Sequence, residues 1–101
     1  MADALPELEA AARLAPDNAR YGYVYAVALR DTGQAAQATK VLTQVLARHP
    51  YDRDTLSALI AYAREGNDPR QALGYARRLA ELEPANADLR QLVQQLEAAA
   101  R

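Results

Sequence analysis

Apolar residues along this chain recur at helical rather than strand spacing. The clearest set is Leu89, Leu92, Val93 and Leu96, at i, i+3, i+4 and i+7, with Arg90, Gln91, Gln94 and Gln95 between them. A helix turns about 100° per residue, so this set shares one face and leaves the other side polar. Read the same way between its turn formers, the chain predicts helices over about 5–14, 19–32, 35–48, 53–65, 69–82 and 87–99. Gly33 closes the second helix and Gly66 the fourth, glycine being the residue that enters the left-handed conformation of a helix end without steric cost. Asp68-Pro69 supplies an N-cap followed by proline in the first turn. One stretch competes with this reading. Tyr21-Gly22-Tyr23-Val24-Tyr25-Ala26-Val27 is rich in strand formers. It occupies the same slot as Thr55-Leu56-Ser57-Ala58-Leu59-Ile60-Ala61, however, and position in a repeat overrides weak local propensity, so it is assigned to a helix.

That slot belongs to a 34-residue period. Pro16, Pro50 and Pro84 lie 34 apart. Twelve residues before each stands Ala4, Ala38 or Ala72; eight before, Leu8, Leu42 or Ala76; five before, Ala11, Val45 or Leu79; two after, Asn18, Asp52 or Asn86. Each column has a local cause. Proline cannot continue a helix and biases its predecessor away from helical angles. Asn or Asp can accept from the first free amides of the next helix. The small alanine lets two helix backbones approach, and the larger apolar positions after it share its face.

A 34-residue helix–turn–helix unit with these columns resembles the tetratricopeptide repeat family. In the first full repeat, residues 19–52, Gly22 stands at the family's tryptophan place, followed at the marked places by Tyr25, Ala26, Leu29, Ala38, Leu42 and Pro50. In the second, residues 53–86, those places hold Leu56, Leu59, Ile60, Ala63, Ala72, Ala76 and Pro84. Residues 4–16 resemble the second helix of an earlier repeat, and 87–101 a closing helix. Ile60 stands where a small residue is usual, which predicts a helix pair held slightly apart. Gly66 follows Gly33 by 33 residues, which predicts a turn shifted by one. The resemblance implies an all-α fold, a single domain over 1–101 built as a right-handed α–α superhelix of about six antiparallel helices. Entry at the second helix of a pair, behind a Met1-Ala2-Asp3 leader, implies the carboxy-terminal part of a longer bacterial-type repeat protein.

Composition narrows the function classes. The chain has 101 residues, 12 Lys+Arg against 13 Asp+Glu, a formal net charge of −1, and 24 alanines. A near-neutral balance argues against a dedicated nucleic-acid binder. With no Cys there is neither a disulfide framework nor a thiolate metal site. No stretch approaches the ~18–20 apolar residues of a membrane span, and no signal peptide opens the chain. A cytoplasmic location is slightly favoured.

No constellation for catalysis emerges, and the chain is read as a non-enzyme with no cofactor and no metal. The glycines are scattered rather than gathered in a phosphate loop. His49 is the sole histidine and is read as solvated in the turn before Pro50. Ser57 with His49 lacks any supporting motif. The carboxylate pairs Glu7/Glu9, Asp52/Asp54 and Glu81/Glu83 are two residues apart, which places their members on different sides of a helix. Asp52 reads as a cap, with Asp54 in the favourable first turn. Arg70, Arg77 and Arg78 read as a solvated face balanced by Glu81 and Glu83.

The resemblance implies that the first helix of each repeat lines a concave surface that receives a partner segment. Carried over by position, the candidates are Arg20, Tyr23, Val24, Val27 and Arg30 in one repeat, and Asp54, Ser57, Ala58, Ala61 and Arg64 in the next. Tyrosine and arginine suit such a surface, offering an apolar ring with a polar tip and a carboxylate-binding fork. Tyr21, Tyr25 and Leu29, at i, i+4 and i+8, are read as core, and Tyr62 and Tyr75 as packing residues. Tyr23 is read in the groove, with burial between helices as its alternative. The resulting expectation is a protein–protein interaction module binding a peptide or helix segment, without nucleic acid or membrane. The alternative is a structural spacer or self-associating domain that forms a homodimer.

Overall fold

The computed structural model describes residues 4–101, and the Met1-Ala2-Asp3 leader lies outside them. Six helices follow one another: α1 (Leu5–Leu14), α2 (Ala19–Asp31), α3 (Ala35–Arg48), α4 (Arg53–Glu65), α5 (Pro69–Leu82) and α6 (Ala87–Ala99). No strand occurs among the described residues, and Tyr21–Val27 is helical throughout. The chain divides into two compact units, Met1–Thr55 and Leu56–Arg101.

The period is written into the hydrogen bonds. At each proline turn the last helical turn is closed by Ala15 N–H to Ala11 C=O (3.1 Å), His49 to Val45 (2.8 Å) and Glu83 to Leu79 (3.1 Å). The three donors leave the helix with φ of −129°, −130° and −130°, the departure that a following proline enforces. Three residues on, Asn18, Asp52 and Asn86 donate back to Ala15, His49 and Glu83 at 2.9, 3.1 and 3.0 Å. Their side chains then cap the next helix, accepting from the N–H of Arg20, Thr55 and Leu89 at 3.1, 3.0 and 3.0 Å.

The other turn repeats as well. Gly33 N–H donates to Arg30 C=O (3.0 Å) and Gln34 to Leu29 (2.8 Å); 34 residues later Asn67 donates to Arg64 (3.0 Å) and Asp68 to Ala63 (2.8 Å). These are the paired bonds of a helix end closed through a left-handed residue. That residue is Gly33 at φ 85° and Asn67 at φ 58°. The expected shift of one residue at Gly66 is therefore corrected. The turn keeps its register because asparagine tolerates the left-handed conformation and takes the place itself.

In the first unit α2 packs on both α1 and α3. Its buried face, Tyr25, Ala26, Ala28 and Leu29, meets a core that includes Ala38, Val41, Leu42, Val45 and Leu46 of α3. Gly22 sets the approach of α2 to α3: a Cβ there would overlap Cγ2 of Val45. α1 contributes no fully buried residue. In the second unit α5 packs on α6, and Leu56, Leu59, Ile60, Ala63, Ala72, Leu73, Ala76, Leu79, Leu89 and Leu96 are buried. In α3 and α5 the alanine and leucine positions of the repeat are the inner ones. Ala38, Ala72, Leu42 and Ala76 are all 0% exposed.

Two stability predictions follow from this packing. Leu42→Ala leaves a cavity in a fully enclosed site and is expected to cost about 2–5 kcal/mol, read as a lower denaturant midpoint; a change under about 1 kcal/mol would place Leu42 outside the core. Gly33→Ala puts a Cβ into left-handed backbone, and Asn67→Ala keeps the Cβ but loses the amide that offsets its cost there, so each should cost about 1 kcal/mol. Gly74→Ala is the opposite case. It sits exposed in α5 with nothing within 4 Å of an added Cβ, and should gain about 0.5–1 kcal/mol from helix propensity.

Candidate functional site

α2 has two working sides, and its sequence separates them. At about 100° per residue, Asn18, Gly22 and Tyr25 project to one side, and Tyr23, Val27 and Arg30 to the other. On the second side Tyr23, Val24, Val27 and Arg30 are half-buried, and Arg20 is exposed. Arg20 Nη1 lies 4.0 Å from Oδ2 of Asp54, with both side chains well exposed. A surface pair of that length contributes little. Asp54, Ser57, Ala61 and Arg64 share one exposed face of α4, with Ala58 half-buried beside them. The residues expected on α2 thus lie together on that helix, with Asp54 alongside.

A concavity lies on the first side of α2. It is a groove of about 830 Å³ within the first unit, walled by α1 and α3 and floored by α2. None of the partner-binding candidates expected from the sequence lines it. Three helical stripes converge there: Glu9, Ala12 and Arg13 from α1; Asn18, Gly22 and Tyr25 from the α1–α2 turn and α2; and Gln37, Val41, Gln44, Val45 and Arg48 from α3. The α3 stripe, at i, i+4, i+7, i+8 and i+11, was its only sequence signal. It mixes polar and apolar residues, so no amphipathic face announces it, and the family resemblance directs attention to the first helix of a repeat instead.

Two contacts hold the groove walls. The Tyr25 hydroxyl donates to Oε2 of Glu9 at 3.1 Å, tying α1 to α2. Arg48 Nη1 donates to Oδ1 of Asp17 at 2.8 Å, tying the end of α3 to the α1–α2 turn. Burial first, and then the Glu9 carboxylate as hydrogen-bond acceptor and as like charge, raise the Tyr25 hydroxyl above its ordinary pKa.

Two expectations about single side chains change. Tyr21, expected in the core, is 44% exposed. It stands in the first turn of α2, where helical side chains lean toward the N-terminus and so past the helix end. Tyr25, one turn further in, is 8% exposed, as expected. His49, read as solvated, is only half-buried overall, and its Nε2 is buried without a hydrogen-bond partner. Its backbone N–H is held at the end of α3 by Val45 C=O. Tyr62 and Tyr75 are half-buried.

Among the described residues no group of three His, Cys, Asp or Glu side chains could hold a metal ion. No helix among them is long and apolar enough to cross a membrane. No family model, curated protein or solved structure matches the chain.

The Tyr25–Glu9 contact has a pH consequence. A raised folded-state pKa means the neutral phenol is favoured on folding, so its contribution is complete below the unfolded-state value near 10 and is lost as pH rises through the folded-state value. The denaturant midpoint of the wild type should therefore fall above about pH 10 more steeply than that of Tyr25→Phe. Parallel curves would remove Tyr25 as the cause.

Proposed function

We propose that the chain is a non-catalytic protein-interaction module of the tetratricopeptide kind, its repeats stacked as a right-handed superhelix that holds a peptide or helix segment of a partner protein. The observation that carries this reading is the second side of α2. Tyr23, Val24 and Val27 keep partly open apolar surface on a helix whose other side is already committed to α1 and α3. Arg20 and Arg30 stand at i−3 and i+7 from Tyr23, so charge borders the apolar strip. Aromatic and arginine side chains around a small apolar floor are the composition of interface hot spots. On α4, the exposed Asp54, Ser57, Ala61 and Arg64 offer the equivalent positions of the next repeat.

The test is capture from a lysate of the source organism by wild type and by Tyr23→Glu/Val27→Glu, the variant first shown to retain wild-type helicity by circular dichroism. A charge at each of two contact positions is expected to cost several kcal/mol of binding and abolish capture of the partner. Equal capture by both proteins, or capture by neither, would overturn the assignment of this surface.

A further inference from the structure

We infer that the groove between α1 and α3 is a second binding site, on the opposite side of α2 from Tyr23 and Val27, and that it takes an acidic, partly apolar segment of another protein. The volume of about 830 Å³ is within the range of sites that enclose a substantial ligand, roughly 300–1,000 Å³. Its floor is apolar and closely packed, because Gly22 admits Val45 against the α2 backbone and Val41 lies one turn away on the same stripe of α3.

Charge decides the occupant. The formal charges on the lining are Arg13, Arg48 and Glu9, a net excess of one positive charge on a chain whose total is −1. The three charges are not equally available. Glu9 already accepts from the Tyr25 hydroxyl, and Arg48 is engaged by Asp17. Arg13 is exposed and has no ion-pair or hydrogen-bond partner among the described residues. A guanidinium with no ion pair among the described residues, beside an apolar floor, favours a carboxylate-bearing partner and penalises a basic one.

The lining also has a direction. Short turns make α1 and α3 both antiparallel to α2, so the two walls run the same way. Arg13 and Arg48 occupy the last turn of their helices, at one end of the groove, while Glu9 and Gln37 lie toward the other. Gln37 and Gln44, seven residues apart, stand about 10 Å from each other along α3, and their amides can both donate and accept along a bound backbone. The occupant therefore lies along the helices with its acidic end at Arg13, an aliphatic side chain over Val41 and Val45, and its backbone beside the two glutamines.

A random dodecapeptide library displayed on phage and panned against the wild-type protein tests this, with fluorescein-labelled synthetic copies of the enriched peptides titrated by anisotropy. Enriched peptides are expected to carry net negative charge and aliphatic residues. Their affinity is expected to fall about ten-fold or more with Arg13→Glu, with a second wall variant, Gln44→Glu, falling in the same sense, and to stay unchanged with Tyr23→Glu. Both wall positions are exposed, and thermal midpoints within experimental error of wild type would show that the variants fold. Neutral or basic peptides, affinity indifferent to Arg13→Glu, or no enrichment at all would overturn the proposal. Peptides that lose affinity with Tyr23→Glu but not with Arg13→Glu would overturn this groove while supporting the interaction surface on α2. A concentration-dependent dimer in sedimentation that Arg13→Glu disperses would give the groove to a second copy of the chain and overturn the acidic-segment assignment.

Discussion

The structure depends on how the chain satisfies backbone groups at its helix ends. Every α-helix leaves four amides and four carbonyls without intrahelical partners, and a chain of six short helices multiplies that cost. Here it is met by two alternating solutions. A residue before proline leaves the helix while still bonding back to it, and an Asn or Asp two residues after the proline caps the next helix. Between those turns, a left-handed residue returns its own amide and the next one to the carbonyls of the helix just ended. Because the solutions recur at 34 residues, the helices they delimit recur too, and with them the inner columns of alanine and leucine.

Helix lengths set by the turns then determine what can pack. α2 is enclosed by α1 and α3 and carries the aromatic core residue Tyr25, while Gly22 removes the one side chain that would hold α3 away. The same close approach creates the groove. With α2 low between its neighbours, α1 and α3 rise as walls, joined to the floor by Tyr25–Glu9 on one side and by Arg48–Asp17 at the end. α1 has no fully buried residue, but Leu5, Leu8, Ala11 and Ala12 are half-buried, and the Tyr25–Glu9 bond adds a polar tie to α2.

Two surfaces therefore leave α2 in opposite directions, and they suit different chemistry. Tyr23, Val24 and Val27 form a half-buried strip along one side of the helix, where affinity would come from apolar area with arginines at its borders. The groove is a recess whose Arg13 has no ion pair among the described residues, and there charge complementarity would govern specificity and association rate. A protein built of short repeats gains such surfaces in pairs, because each helix must turn one side inward and the helices beside it frame what remains.

The sequence by itself determined the helices, the period and the turns. Proline, capping and left-handed residues act within a few positions of themselves, and their bonds appear where the residues stand, even at Asn67, where the conformation rather than the glycine kept register. It also determined the inner columns, since helical spacing alone places Ala38, Leu42 and Val45 on one face. The exposure of Tyr21, the buried Nε2 of His49 and the groove were decided only by tertiary structure. Tyr21 and Tyr25 share a stripe, and only the position of the helix end separates a solvent-facing ring from a core one. The groove draws single residues from three helices whose polar and apolar members alternate, so no one segment carries its signature. It exists because Gly22 lets α3 close on α2 while α1 packs along the same helix, a spacing that no local rule encodes.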